Sequence, residues 1–181
     1  MGRRLPKNRK RLVIDACVAR AAGETDHPVS SSCRKFLDTV LTICHRLVMT
    51  DAIRDEWDRH QSLYARLWRG AMTRKRKVDR LGDDPDASTA ERIGAIPMSD
   101  KKRRAVLKDR HLLDAALRAD GIIASLDDEA LGILREILPH WRVIKRVVWV
   151  NPARPDEKCC DWLAAGAKPD RRRMIGHGAA D

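Results

Sequence analysis

Aromatic residues are scarce, at 4% of 181 residues, with one Phe and one Tyr beside five Trp. Trp57, Tyr64 and Trp68 recur at helical spacing with Ile53, His60 and Leu67, which reads as a packed core face over residues 53–68. Few rings remain to stack on unpaired bases, so recognition through an aromatic platform is not visible. Long apolar runs are also missing. None approaches the ~18 residues of a membrane span, and the basic start MGRRLPKNRKR lacks the apolar stretch of a secretion signal, so a cytoplasmic protein without membrane contact is expected. There is no CxxC pair and no internal repeat. The five cysteines (Cys17, Cys33, Cys44, Cys159, Cys160) read as reduced thiols, and the adjacent Cys159 and Cys160 lack a second ligand pair for zinc.

What is abundant is charge. Charged residues make up 35% and hydrophobic residues 43%, a balance that fits one globular domain with a substantial core. The net charge of +11 favours a polyanionic partner, or a solvated basic surface; charge alone leaves both open. Two dense positive clusters stand out, Arg74, Lys75, Arg76 and Lys77, and Lys101, Lys102, Arg103 and Arg104. They could hold a phosphate backbone or be solvated loops.

Apolar and polar stretches alternate along the chain. RLVID at 11–15 reads as a buried strand, a helix is expected from about Ser31, and RLVMT at 46–50 as a second strand. Thr50 can cap the helix that follows. Region 70–108 is the least regular, with a turn-rich linker GDDPDAST and a short basic helix in SDKKRRAVLK. DRHLLDAALRAD then predicts a helix ending at Gly121, followed by strand IIASL, helix DDEALGILREIL and strand RVIKRVVWV. Strands alternating with helices predict an α/β fold of three α/β/α layers around a mostly parallel sheet. Residues 1–10 read as a basic N-terminal segment, 11–150 as the domain, and 151–181 as an extended tail with about one helical turn at CCDWLAAG.

Four acids mark the edges of apolar segments: Asp15, Glu56, Asp109 and Asp127. In an open parallel sheet, ligands bind beyond the carboxyl ends of the strands, and acids gathered there offer the oxygen ligands that Mg²⁺ or Mn²⁺ prefers. Each also has a plainer reading: helix cap for Asp109 and Asp127, exposed helical acid for Glu56, turn residue for Asp15. His111, two residues past Asp109, could protonate a leaving oxygen or serve structurally.

KDRHLLDAALRADGIIASLDDEAL resembles, in order and spacing, the acid–helix–Gly–strand–Ser/Thr-x-Asp pattern of the PIN-domain nucleases, which include the VapC-type toxins of toxin–antitoxin pairs. LVIDACV and VMTDAIRDEW resemble that family's first two motifs. The resemblance spans about residues 11–150. It implies a Mg²⁺- or Mn²⁺-dependent endoribonuclease with Asp15, Glu56, Asp109 and Asp127 as metal-binding acids. Ser125 would steady a carboxylate or a metal-bound water. Single-stranded RNA, an antitoxin protein and a second copy of the chain are the implied partners. Cys17 departs from the Asn, Ser or Thr frequent at that place and is left outside the expected site. The alternative is a PIN-fold nucleic-acid-binding or interaction protein without catalysis.

Overall fold

A computed structural model describes residues 9–82 and 88–177, so residues 1–8 of the basic N-terminal segment and part of the GDDPDAST linker lie outside it. Five strands form one parallel sheet: β1 Arg11–Ile14, β2 Arg46–Met49, β3 Val78–Arg80, β4 Ile122–Ala124 and β5 Val148–Val150, in the order β3-β2-β1-β4-β5. The central strands are apolar without alternation, with Leu12, Val13, Ile14, Leu47 and Val48 fully buried, because both faces of the sheet are covered. The right-handed rule for crossovers puts α1 (Ala16–Ala21), α2 (Pro28–Thr42), α3 (Asp51–His60) and α4 (Leu63–Arg74) on one face. It puts α5 (Ser88–Ala95), α6 (Asp100–Leu117) and α7 (Asp128–Glu136) on the other. The three-layer α/β/α arrangement expected from the sequence is therefore present. The connections from β1 and from β4 leave in opposite directions, so the switch point lies between those neighbouring strands.

Several local expectations need correction. The aromatic stretch is two helices, not one. Gln61 is extended, and Ser62 caps α4 through its hydroxyl, which also donates to Ala22 O at 2.8 Å. Trp57 and Trp68 still meet, ring centres 6.0 Å apart, but Leu67 points to solvent at 63% exposure. The two helices predicted over residues 99–120 are one, the 18-residue α6, capped by Ser99. The irregular region contains β3, too short and too polar to signal itself. RVIKRVVWV divides into a 3₁₀ turn, Arg142–Arg146, and β5, because the charges of Arg142, Lys145 and Arg146 cannot enter a strand buried on both faces.

The C-terminal segment is not an extended tail. Helix α8 (Cys159–Ala164) packs on α2, Met174 pairs antiparallel with Val148, and Ile175 is buried, its N–H donating to Val147 O at 2.9 Å. Gly176 permits this close approach: a Cβ there would stand 2.9 Å from the Lys145 carbonyl. Buried His45 ties the segment down, accepting from Lys10 N–H at Nδ1 (3.1 Å) and donating from Nε2 to Leu163 O (3.0 Å).

Burial first, then Lys77 and Lys10 nearby, keeps the His45 ring neutral by lowering its pKa below the ordinary 6.5, against the Leu163 carbonyl and Asp120. Below that value the unfolded chain takes up a proton the folded ring refuses, so His45 makes the fold less stable as pH falls. His45→Ala is expected to cost about 2–4 kcal/mol at neutral pH, from two orphaned backbone groups and a cavity. It should also remove this acid-side loss. Denaturant melts at two pH values check both; wild-type stability in the variant would show that His45 does not hold the segment.

Candidate active site

Asp15 is the first residue beyond β1, and its N–H donates to Ala124 O of β4 at 2.9 Å, fixing it at the switch point. Its Oδ1 accepts from Cys17 N–H (3.1 Å), which caps α1. Its Oδ2 accepts from the Ser125 hydroxyl (2.7 Å) and from the Cys17 thiol (3.0 Å). Ser125 follows β4, is fully buried, and accepts in turn from Asp127 N–H at 3.1 Å. Asp127 caps α7 by taking Ala130 N–H on Oδ1 at 2.8 Å. The plain reading of Asp127 as a cap thus holds together with its place at the strand edge.

Asp109 reaches the same place from the other layer. It sits in the middle of α6, not at a helix start, because Ser99 begins the helix ten residues earlier. Val106 and Leu113, on the same helical face, line with Ala130, Leu134 and Trp149 the apolar hollow that Asp109 also borders. Burial there raises the Asp109 pKa from 3.8 to about 6, and the negative charges of Asp15 and Asp127 add to the rise against Lys108 and His111. Among the described residues, no donor meets the Asp109 carboxylate. A half-buried acid without a donor, facing two further acids, is the electrostatic condition that a cation relieves.

Glu56 joins less directly. Its Oε2 meets His111 Nε2 at 3.2 Å, and His111 Nδ1 faces Lys108 O at 3.1 Å. Both ring nitrogens face acceptors. A neutral ring donates to only one of them, while the protonated ring donates to both. His111 therefore acts on Glu56, an arrangement its sequence position did not reveal.

Cys17, left outside the expected site, lies against its first acid. Its thiol touches Asp15 and takes Leu126 N–H at 3.2 Å, with Ser125 Oγ at 3.5 Å. Burial, then the Asp15 charge, raises its pKa to about 12, so it stays a thiol and a hydrogen-bond donor. A thiol is a weak donor, so it supports the carboxylate less strongly than the Ser125 hydroxyl does.

The first basic cluster stands elsewhere. Arg74–Lys77 precede β3 and so lie at the amino edge of the sheet, opposite the acids. Lys77 is not a free cation. Its ammonium donates to Val40 O (2.7 Å), Leu41 O (2.9 Å) and Ile43 O, closing the end of α2, and burial lowers its pKa to about 8. In the second cluster Lys101 and Lys102 pair with Glu129 and Glu136, and Arg103 holds the Ile93, Gly94 and Met98 carbonyls. Arg104 is exposed.

The donor set is chemically suited to a hard divalent cation, being carboxylates and one hydroxyl. Among the described residues, no three acid, His or Cys side chains are already set closely enough to hold a metal ion. Asp15, Asp109 and Asp127 are the trio that hydrogen bonding and charge bring to one edge. Compared with family models, curated proteins and solved structures, the chain has no match.

Proposed function

We propose that this chain is a metal-dependent ribonuclease of PIN type, hydrolysing phosphodiester bonds at the β1/β4 switch point. The observation that carries this reading is the unpartnered Asp109 carboxylate, held beside Asp15 and Asp127 with a pKa raised to about 6. Asp15, Asp109 and Asp127 would hold Mg²⁺ or Mn²⁺, which, when bound, polarises the phosphate and makes a water nucleophilic at neutral pH. Ser125 and Cys17 orient Asp15 through its Oδ2. His111 keeps Glu56 in place from the α6 side. The net charge of +11 favours approach of a polyanion. A narrower role as a toxin would add a protein inhibitor that covers this edge.

One observation favours the second reading, an RNA-binding protein without catalysis: no three metal ligands among the described residues are closely set. One experiment separates the two. Cleavage of single-stranded RNA is expected to require Mg²⁺ or Mn²⁺ and to stop in EDTA, and Mg²⁺ is expected to raise the thermal midpoint of the wild-type protein. Cleavage unchanged in EDTA defeats the metal-dependent mechanism, and binding without cleavage under any metal selects the second reading.

A further inference from the structure

Four arginines, Arg54, Arg66, Arg69 and Arg80, line one groove of about 290 Å³ beside the carboxyl ends of β2 and β3. The one carboxylate in its lining, Asp51, is occupied by Arg54 at 2.6 Å. Arg69 is only half used: Nη2 pairs with Asp58, while the buried Nη1 has no hydrogen-bond partner. Arg66 and Arg80 are exposed and, among the described residues, have no side-chain partner. A buried guanidinium N–H without an acceptor is unfavourable, and the planar fork of arginine matches phosphate oxygens.

The helix side of the groove is equally specific. Arg66, Arg69, Gly70 and Thr73 share one face of α4, at the i, i+3, i+4 and i+7 positions. Glycine inside a twelve-residue helix weakens it relative to alanine. Packing does not require it: a Cβ at Gly70 would meet only the Arg74 guanidinium, at 3.5 Å. The bare Cα instead leaves the groove wall open.

The location links groove and acids. Arg80 pairs in register with Met49 of β2, and β2 neighbours β1, whose next residue is Asp15. Two strand spacings, roughly 10 Å, separate the end of β3 from that of β1 along the same edge of the sheet. A single strand lying over Asp15 and Asp109 would present a neighbouring phosphate to the arginines. We infer that this groove binds a backbone phosphate of single-stranded RNA. The identity of the polymer rests on the ribonuclease reading; the anion does not.

The test is fluorescence anisotropy of a labelled single-stranded oligoribonucleotide in EDTA, where neither cleavage nor a cation contributes. The paired substitution Arg66→Ala/Arg80→Ala is expected to weaken binding about tenfold or more. It should also lower the salt slope by roughly 0.7 for each phosphate that the variant no longer neutralises. Gly70→Ala should weaken binding while raising the thermal midpoint, a combination that general destabilisation cannot produce. Lys75→Ala/Arg76→Ala, at the opposite edge, should bind like wild type. Absence of binding by the wild-type chain overturns the inference. So does an Arg66→Ala/Arg80→Ala affinity that matches wild type or falls no further than that of Lys75→Ala/Arg76→Ala. Inorganic phosphate should compete only far above the oligonucleotide concentration; competition at equal phosphate would make this a free-phosphate site and overturn the strand assignment. Retained binding with no cleavage under any metal would remove the nuclease reading and leave the groove standing. Cleavage with unaltered Arg66→Ala/Arg80→Ala affinity would do the reverse.

Discussion

Asp109→Asn is expected to abolish metal-dependent cleavage and, in the same protein, to increase stability at neutral pH. The two effects have one cause. Burial in the hollow under α7, with Asp15 and Asp127 nearby, raises the Asp109 pKa from 3.8 to about 6. The folded state then binds a proton more readily than the unfolded chain does. The stabilisation this provides is complete below about pH 3.8 and is lost as pH rises through about 6, leaving a strained carboxylate at pH 7. An amide carries no such charge, so the variant should gain about 1–2 kcal/mol at pH 7 after allowance for solvent screening. For a chain of this size that is a rise of roughly 2–8 °C in thermal midpoint. Melts in EDTA from pH 4 to 8 should show the advantage shrinking on acidification. Asp114→Asn is the contrasting variant. Five residues along α6, Asp114 points about 140° away and borders a separate hollow with Thr50, Arg110 and Arg118, so it should retain most cleavage. Loss of stability in Asp109→Asn at neutral pH, or abolished cleavage in Asp114→Asn with normal cleavage in Asp109→Asn, would overturn the assignment.

Ser125→Ala should reduce cleavage by about 10–100-fold, in the manner of a group that orients a ligand without touching the metal. The hydroxyl is fully buried and joins two acids, donating to Asp15 Oδ2 at 2.7 Å and accepting from Asp127 N–H at 3.1 Å. Alanine leaves that N–H without an acceptor and removes the stronger of the two donors on Asp15 Oδ2, since the Cys17 thiol is the weaker one. A stability loss of about 1–3 kcal/mol should accompany the change. Metal titration distinguishes orientation from collapse: a folded variant should require more Mg²⁺ for half-maximal cleavage and approach wild-type rate at saturation. A folded Ser125→Ala with an unchanged Mg²⁺ requirement would show that the hydroxyl does not position Asp15.

The strongly patterned elements were legible from residue order. RLVI and RLVM carry continuous apolar character because they run buried on both faces at the centre of the sheet. Thr50 announced α3, since its hydroxyl takes Ile53 N–H. The elements that escaped are those whose form depends on distant contacts. β3 is three residues paired to β2, and the polar segment after Asn151 folds because His45, α2 and β5 receive it. Ser62 and Ser99 follow the same capping rule as Thr50, but competing apolar periodicity on both sides hid the break at Ser62, and the basic run hid the continuity after Ser99.

At the site, the sequence by itself determined which acids could sit at strand ends, because a short apolar run followed by Asp places the carboxylate at the carboxyl edge once the sheet is parallel. It also determined the net positive charge. Only the tertiary structure decided how those groups are used. It joined Cys17 to Asp15 and Ser125, paired Glu56 with His111, and placed Asp109 in an apolar hollow. It engaged Lys77 and Arg103 with helix-end carbonyls and lined a groove with arginines drawn from α3, α4 and β3. The physical reason is that local propensity and spacing are properties of neighbouring residues, whereas desolvation, charge proximity and hydrogen-bond partnership are set by residues far apart in the chain.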